Sequence, residues 1–120
     1  MINHIGFYVE DLETANAFYH PLVQSFGYDI IFTTPHCIAY GVHGSPVFEI
    51  YTGKPKSERL HVAFEVSSKE LVERFHTTAL ALGAQDNGGP GYRSYTPNYY
   101  AAFIICPNGH NLEAVHFVTS

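Results

Sequence analysis

An internal repeat constrains the fold of this chain more than any other feature of its sequence. Residues 4–9, His-Ile-Gly-Phe-Tyr-Val, match residues 61–66, His-Val-Ala-Phe-Glu-Val, at an offset of 57 residues. Apolar side chains alternate in both segments, which predicts a β-strand in each. We therefore predict two related modules, at about residues 1–53 and 59–120, in a chain whose 120 residues fit a single domain.

Each half of the sequence predicts the same order of elements: a strand, a helix and about three further strands. The helical stripes are in phase with the repeat, because the same offset places Phe18 on Phe75. Such an order is typical of an α+β layer with the helix on one face of the sheet. Neither copy can close a core alone, so we expect two paired βαβββ modules forming a curved mixed sheet around a cup-shaped site.

Turn residues and apolar stripes give the predicted bounds of the elements. A helix begins at the cap Asp11 and runs toward Phe26, and Pro21 is expected to kink or split it. A second helix begins after Ser67 or Ser68. Strands are predicted at residues 2–9, 28–34, 37–43, 46–52 and 60–66.

The C-terminal region is predicted to be a long loop followed by a hairpin. Residues 86–98 are rich in Gly, Pro, Asn and Tyr, which indicates a loop with room for one short strand. Asn108-Gly109 is a strong signal for a two-residue turn between residues 99–106 and 111–117. The last strand then places Asn111, Glu113 and Val115 on one face.

Two acids interrupt apolar strands in this pattern. Glu113 lies next to Leu112 and Ala114, and Glu49 lies between Phe48 and Ile50. Glu is uncommon inside strands and is seldom buried without a partner. Two interpretations stay open for each acid from the residues alone: a solvent-facing side chain on a half-exposed sheet, or a member of a buried polar site.

Composition narrows the classes of function. The chain carries 6 Lys and Arg residues against 11 Asp and Glu residues, and no basic stripe, which disfavours nucleic-acid binding. Nothing approaches a membrane-spanning segment or a secretory leader. Cys37 and Cys106 form no disulfide framework, which fits a reducing compartment. We expect a cytoplasmic protein.

The sequence resembles the vicinal oxygen chelate superfamily, which includes glyoxalase I, extradiol dioxygenases, fosfomycin-resistance thiol transferases and bleomycin-resistance proteins. The resemblance covers the whole chain and is closest to small, functionally unassigned members. It rests on His-Ile-x-Phe-x-Val-x-Asp at residues 4–11, His-Val-Ala-Phe at 61–64, and Cys-Pro-Asn-Gly-His-Asn-Leu-Glu at 106–113. The last segment is similar to the family's Asp-Pro-x-Gly-x-x-x-Glu, with Cys106 in place of Asp.

The resemblance implies a divalent metal, Zn, Ni, Fe or Mn, held by His4, His61 and Glu113. Two imidazoles and one carboxylate leave open coordination positions for a substrate. With Glu49 as a fourth ligand, the ligand set would resemble that of glyoxalase I, and Glu49 and Glu113 would be the catalytic candidates of this chain. Without Glu49, the ligand set resembles that of dioxygenases and thiol transferases. The other histidines are expected to be surface or structural residues: His20, His36, His43, His76, His110 and His116.

Four further residues are candidates for contacts with a small-molecule substrate. Because side chains alternate between the two faces of a strand, Tyr8 is expected on the same face as His4, and Glu65 on the same face as His61. Arg93 is able to pair with a substrate carboxylate or phosphate, although an exposed arginine on a loop is the simpler interpretation, and Tyr100 brings an aromatic ring. The resemblance also implies a homodimer. A metal-dependent lyase or isomerase of glyoxalase type is the expected function; alternatives are a dioxygenase-like or thiol-transferase-like enzyme, or a metal-free binding protein.

Overall fold

A computed structural model describes residues 2–55 and 58–119. The chain divides into two compact units, Met1–Ser57 and Glu58–Ser120. Each unit contains one helix and a four-stranded mixed sheet in the order βαβββ, which confirms the predicted α+β class and its two modules. In the described part of the chain, neither helix is long and apolar enough to span a membrane.

The elements of both units follow in chain order. The first unit contains β1 (Ile5–Val9), α1 (Leu12–Gln24), β2 (Asp29–Thr34), β3 (Cys37–Val42) and β4 (Ser45–Thr52). The second unit contains β5 (His61–Glu65), α2 (Lys69–Ala81), β6 (Gln85–Arg93), β7 (Tyr99–Ile105) and β8 (Asn111–Phe117).

Both sheets have the same topology. The first sheet has the order β1-β4-β3-β2 and the second has the order β5-β8-β7-β6. β1 runs parallel to β4, and β5 runs parallel to β8, while the other neighbours are antiparallel. In each unit, the strand that begins the module therefore lies beside the strand that ends it, and the candidate histidines and glutamates lie on or directly before the strands of these parallel pairs.

Helix α1 packs on the first sheet without interruption. The side chain of its cap, Asp11, accepts a hydrogen bond from the Thr14 N–H. The expected split at Pro21 does not occur, and one helix contains this proline. A proline inside a helix costs about 3 kcal/mol, whereas complete burial of a side chain such as Leu22 or Val23 contributes about 1.5–3 kcal/mol each. Packing of the apolar stripe thus outweighs the missing hydrogen bond.

The segment over residues 86–98, predicted as a long loop with room for one short strand, is mostly strand: β6 has nine residues and ends at Arg93, and only residues 94–98 form a connection. The pairing of β6 with β7 shifts register between Asp86 and Gly88 and again between Gly88 and Gly91. Bulges and edge positions accept glycine and proline, which central strands exclude. Because β6 lies at the edge of its sheet, it can contain the glycine and proline residues that are typical of a loop.

The final hairpin has a longer turn than predicted. The Gly109 N–H donates to the Cys106 carbonyl, and the Cys106 N–H donates to the His110 carbonyl. Pro107 and Asn108 are therefore the central residues of the turn, and Gly109 follows them with φ +85. A turn followed by a left-handed glycine is the common three-residue hairpin loop. It shifts the pairing of β7 with β8 by one residue from the two-residue prediction.

A histidine–aspartate contact repeats in the two units. His20 of α1 lies 2.7 Å from Asp29 at the start of β2, and His76 of α2 lies 2.9 Å from Asp86 near the start of β6. The hydrogen bond from His20 is the main cause that lowers the pKa of Asp29. These contacts tie each helix to the edge strand that follows it, which gives His20 and His76 the structural role expected of them.

We predict that Gly41→Ala destabilises the protein by about 1–3 kcal/mol, the usual cost of overpacking. A Cβ at residue 41 would lie 1.9 Å from the Ser45 carbonyl oxygen, so β3 or β4 must shift. Gly89→Ala is the matched control, because no atom lies within 4 Å of a Cβ there. Urea unfolding of both variants checks this, and equal stability of the two would contradict it.

Candidate functional site

Each unit presents one buried glutamate on the sheet face opposite its helix. In the first unit, Phe48 and Ile50 are fully buried on the helix side, so Glu49 between them points the other way. Glu49 is 6% exposed. Its Oε1 accepts a hydrogen bond from the Tyr51 hydroxyl and lies 3.6 Å from His4 Nε2. We call Glu49, His4 and Tyr51 the first cluster.

The second unit repeats this chemistry around Glu113, which is 2% exposed. Glu113 Oε1 lies 3.1 Å from His61 Nε2, and Glu113 Oε2 accepts a hydrogen bond from the Tyr99 hydroxyl. His61 lies at the start of β5, two positions from Ala63, which pairs with Glu113 in the parallel register. We call Glu113, His61 and Tyr99 the second cluster.

The Nδ1 atom of each histidine contacts an oxygen. His61 Nδ1 lies 3.0 Å from the Asn111 carbonyl, and His4 Nδ1 lies 2.9 Å from the Asn3 side-chain oxygen. A carbonyl oxygen accepts hydrogen bonds, so this contact suits the tautomer with its proton on Nδ1. In both clusters the other ring nitrogen, Nε2, faces a carboxylate oxygen, at 3.6 Å in the first cluster and 3.1 Å in the second. A proton or a metal cation between these two atoms would compensate their lone pairs.

The two glutamates differ in how firmly they are held. Both oxygens of Glu113 have a partner, His61 for Oε1 and Tyr99 for Oε2. Both contacts of Glu49 go to Oε1, and within residues 2–55 and 58–119 its Oε2 has no hydrogen-bond partner. Glu113 is thus fixed in orientation, while one oxygen of Glu49 is available to accept a ligand or a proton.

Hydrogen bonding and burial raise the pKa of the tyrosine hydroxyl in both clusters. The bond to Glu49, followed by burial, raises the pKa of Tyr51 to about 12. Burial, followed by the bond to Glu113, raises the pKa of Tyr99 to about 12. Both phenols therefore stay protonated at neutral pH and act as donors to the carboxylates, which lowers the cost of burying them.

The predicted substrate residues lie in different environments in the structure. Tyr8 lies on the face of Glu49, 52% exposed, with its ring 5.7 Å from that of Tyr51. Glu65 is exposed at the end of β5. Arg93 ends β6, and its guanidinium lies 5.3 Å above the Phe103 ring.

Tyr100 lies on the opposite face from Glu113, where its hydroxyl donates to Glu73 of α2 at 2.7 Å. The turn explains this difference. A two-residue Asn108-Gly109 loop would have paired Tyr100 with Phe117, but the longer loop pairs Tyr99 with Phe117 instead. One residue of register exchanges the two faces of a strand, so Tyr99 reaches Glu113 and Tyr100 does not.

Sequence reasoning therefore missed Tyr51 and Tyr99 as site residues. Tyr51 carried a usable signal, because it follows Glu49 by two positions on one strand and must share its face. Tyr99 carried no such signal, because it lies 14 residues before Glu113 and reaches it from the neighbouring strand.

Other reactive side chains have structural explanations. Burial, followed by the charge of Glu49, raises the pKa of the Cys37 thiol, which makes it a poor nucleophile. Burial lowers the pKa of His110, whose Nδ1 accepts a hydrogen bond from the Leu60 N–H. His110 thus connects the hairpin turn to the segment that precedes β5.

The predicted metal ligands occur as two pairs in the structure. His4 lies with Glu49 in the first unit, and His61 lies with Glu113 in the second. Among the described residues, no group of three or more His, Cys, Asp or Glu side chains lies together as a metal site. The set of His4, His61 and Glu113, with Glu49, stays a prediction.

Comparisons with solved structures identify the fold. A glyoxalase/bleomycin resistance protein from Albidiferax ferrireducens T118 matches with a TM-score of 0.78 at 24% identity, covering 95% of this chain and 96% of that chain. A glyoxalase/bleomycin resistance protein/dioxygenase family enzyme from Burkholderia phytofirmans PsJN matches with a TM-score of 0.76 at 18% identity, over 98% of both chains. The fosfomycin resistance protein FosX from Mesorhizobium loti matches with a TM-score of 0.72 at 18% identity, over 98% and 92%.

These similarities show that the chain shares the fold of these glyoxalase, bleomycin-resistance and dioxygenase proteins, as the sequence resemblance predicted. No protein-family model matches the sequence, and no curated protein sequence matches it. At this level of identity the neighbours show the fold alone, because the same fold carries several activities.

We predict that Tyr99→Phe destabilises the protein by about 1–3 kcal/mol, because Glu113 is left buried with one donor fewer. Tyr95→Phe is the matched control: this ring is 65% exposed and packs edge-on against Tyr99. Thermal unfolding of both variants measures the difference. If both lose the same stability, the phenol of Tyr99 does not compensate the Glu113 carboxylate.

Proposed function

We propose that this protein is a metal-dependent lyase or isomerase of glyoxalase type, which acts on a small substrate with neighbouring oxygen atoms. His4, His61 and Glu113 are the proposed ligands of a divalent cation, and Glu49 is the proposed fourth. The observation that carries the proposal is the repeated arrangement of an anchored imidazole whose Nε2 faces a buried carboxylate.

The donor chemistry of both clusters fits a divalent cation. Metal-binding histidines usually donate their second ring N–H to a carbonyl or carboxylate, and the Nδ1 atoms of His61 and His4 lie within hydrogen-bond distance of such oxygens on Asn111 and Asn3. Two neutral imidazoles and two carboxylates would balance the charge of a divalent ion. When bound, such an ion supplies Lewis-acid polarisation of the substrate oxygens.

Glu49 is the proposed proton acceptor. Its Oε1 is held by Tyr51, while its Oε2 is open within the described residues. A carboxylate with one free oxygen is able to take a proton from a substrate carbon and return it to a neighbouring carbon, which is the proton transfer of an isomerase. Glu113, held through both oxygens, serves as a fixed ligand.

The alternatives differ in what they require of Glu49. A dioxygenase-like or thiol-transferase-like enzyme uses three ligands and would leave Glu49 unused. A metal-free binding protein would use neither imidazole as a ligand. The burial of Glu49 against His4 and Tyr51 favours the four-group arrangement, because an unused carboxylate would lose nothing by facing solvent.

We predict that His61→Ala weakens divalent metal binding at least 100-fold, since loss of a second-sphere partner alone costs about 10–100-fold. His36→Ala is the matched control, because His36 is exposed on the connection between β2 and β3. Zinc and nickel titrations of both variants, with metal analysis of the purified parent, give the result. Equal affinity in the two variants would reject His61 as a ligand.

The same titration bears on the proposed homodimer. The metal-to-chain ratio gives the number of sites, and sedimentation of the loaded protein gives the number of chains that share them. A species of 13.4 kDa at high protein concentration would contradict the homodimer but not the metal site.

We predict that the metal-loaded protein converts a hemithioacetal and that Glu49→Gln lowers kcat by about 100- to 10,000-fold, the usual contribution of a general base. Oxygen uptake with a catechol is the opposing assay. Oxygen uptake that survives Glu49→Gln would favour the dioxygenase-like alternative. A protein that binds no metal and turns over neither substrate would favour the metal-free binding protein.

A further inference from the structure

We infer that Arg93 forms an anion-binding subsite beside the second cluster, so that the substrate carries a carboxylate or phosphoryl group. This inference rests on the proposed function for the role of the second cluster, and it adds the chemical class of the substrate. The ligand it describes is a small acid or organic phosphate whose charged group binds Arg93 while its neighbouring oxygens face His61 and Glu113.

The register places Arg93 on the face of the second cluster. Arg93 of β6 pairs with Tyr99 of β7, whose hydroxyl donates to Glu113. The Arg93 guanidinium lies 5.3 Å above the Phe103 ring, and the same ring stacks on His61 with 6.3 Å between centroids and an angle of 21°. Arg93 therefore adjoins the second cluster through two side chains, Tyr99 and Phe103.

The positive charge of Arg93 has no acidic partner in the described part of the chain. Its Nη2 donates to the Gly89 carbonyl at 2.8 Å, and its Nη1 lies 3.5 Å from the Tyr92 carbonyl. The ion pairs within residues 2–55 and 58–119 all involve histidine and never Arg93. The other described lysines and arginines are likewise absent from these ion pairs, so the position of Arg93 beside Tyr99 and Phe103 is what distinguishes it.

The bulged strand β6 leaves room for this guanidinium. A Cβ at Gly88 would lie 3.1 Å from Arg93 Nη2 and 3.2 Å from Phe103 Cδ1, and a Cβ at Gly91 would lie 3.1 Å from Arg93 Nη1. Side chains at these two positions would press against the guanidinium. The absence of side chains at Gly88 and Gly91 thus leaves the space in which the Arg93 guanidinium lies against Phe103.

The chemistry of the guanidinium selects the ligand. Arginine has five N–H donors in a planar fork, and two of them contact backbone carbonyls here. The fork matches the two oxygens of a carboxylate or phosphoryl group, and the stacked aromatic ring holds it in one orientation.

The test is a titration of the metal-free protein with inorganic phosphate and, separately, with acetate, followed by NMR of the backbone amide groups of β6 in the parent and the variants, and of the Arg93 Nε–H group in the parent. Metal is removed with a chelator beforehand, so that the anion cannot bind to a metal ion in place of Arg93. We expect saturable binding of at least one anion, weakened about tenfold or more by Arg93→Gln, because the variant loses the charge-assisted hydrogen bonds of the guanidinium. Arg93→Lys should also bind more weakly than the parent, because lysine lacks the fork.

Arg74→Gln is the matched control, because Arg74 is exposed on α2 of the same unit and its loss removes the same charge. We expect its affinity for the anion to stay within about twofold of the parent, as expected when only long-range charge is lost. Parent protein that binds neither anion, or equal weakening in Arg74→Gln and Arg93→Gln, overturns the inference. Saturation by phosphate alone or by acetate alone supports it and identifies the charged group.

Metal titration of the same variants separates this inference from the proposed function. We expect Arg93→Gln to bind zinc as tightly as the parent while losing the anion. If the parent binds no metal but binds the anion through Arg93, the proposed metal chemistry fails and the anion subsite stands. If metal binds and Arg93→Gln binds the anion as the parent does, the subsite alone fails.

Discussion

The burial of two carboxylates is the constraint on which the rest of this structure depends. Glu49 and Glu113 lie in the middle of central strands with almost no access to water, and an uncompensated charge there would cost several kcal/mol. Each unit meets this cost with one phenol and one imidazole. The parallel pairs β1–β4 and β5–β8 make this compensation possible, because they bring each histidine to its glutamate.

The two units repeat the chemistry of the site more closely than they repeat its positions. Glu49 receives its phenol from Tyr51 on the same strand, whereas Glu113 receives it from Tyr99 on the neighbouring strand. The histidine–aspartate contacts show the same tolerance, since His20 and His76 differ by 56 residues while Asp29 and Asp86 differ by 57. A functional group at the right place is what both units have in common.

Much of the fold was predictable because alternation and turn residues act locally. The repeat predicted the two modules, and alternation along the last strand predicted that Asn111, Glu113 and Val115 share one face. The failures came where one residue of register decides the outcome. The longer turn at Cys106–His110 places Tyr99, and not Tyr100, on the face of Glu113. The bulges of β6, with their glycines, made this strand look like a loop in the sequence. Contacts across strands, such as that of Tyr99 with Glu113, depend on register and not on local sequence.

The tyrosine–carboxylate bonds have an optical consequence. The chain contains nine tyrosines and no tryptophan, so its ultraviolet emission comes from phenol rings. A phenol bound to a carboxylate emits weakly, because the excited hydroxyl passes its proton to the acceptor. Tyr51 and Tyr99 are in that condition. Any cation or ligand that draws Glu49 or Glu113 away from its phenol should therefore brighten the protein, which gives each cluster a built-in fluorescent reporter.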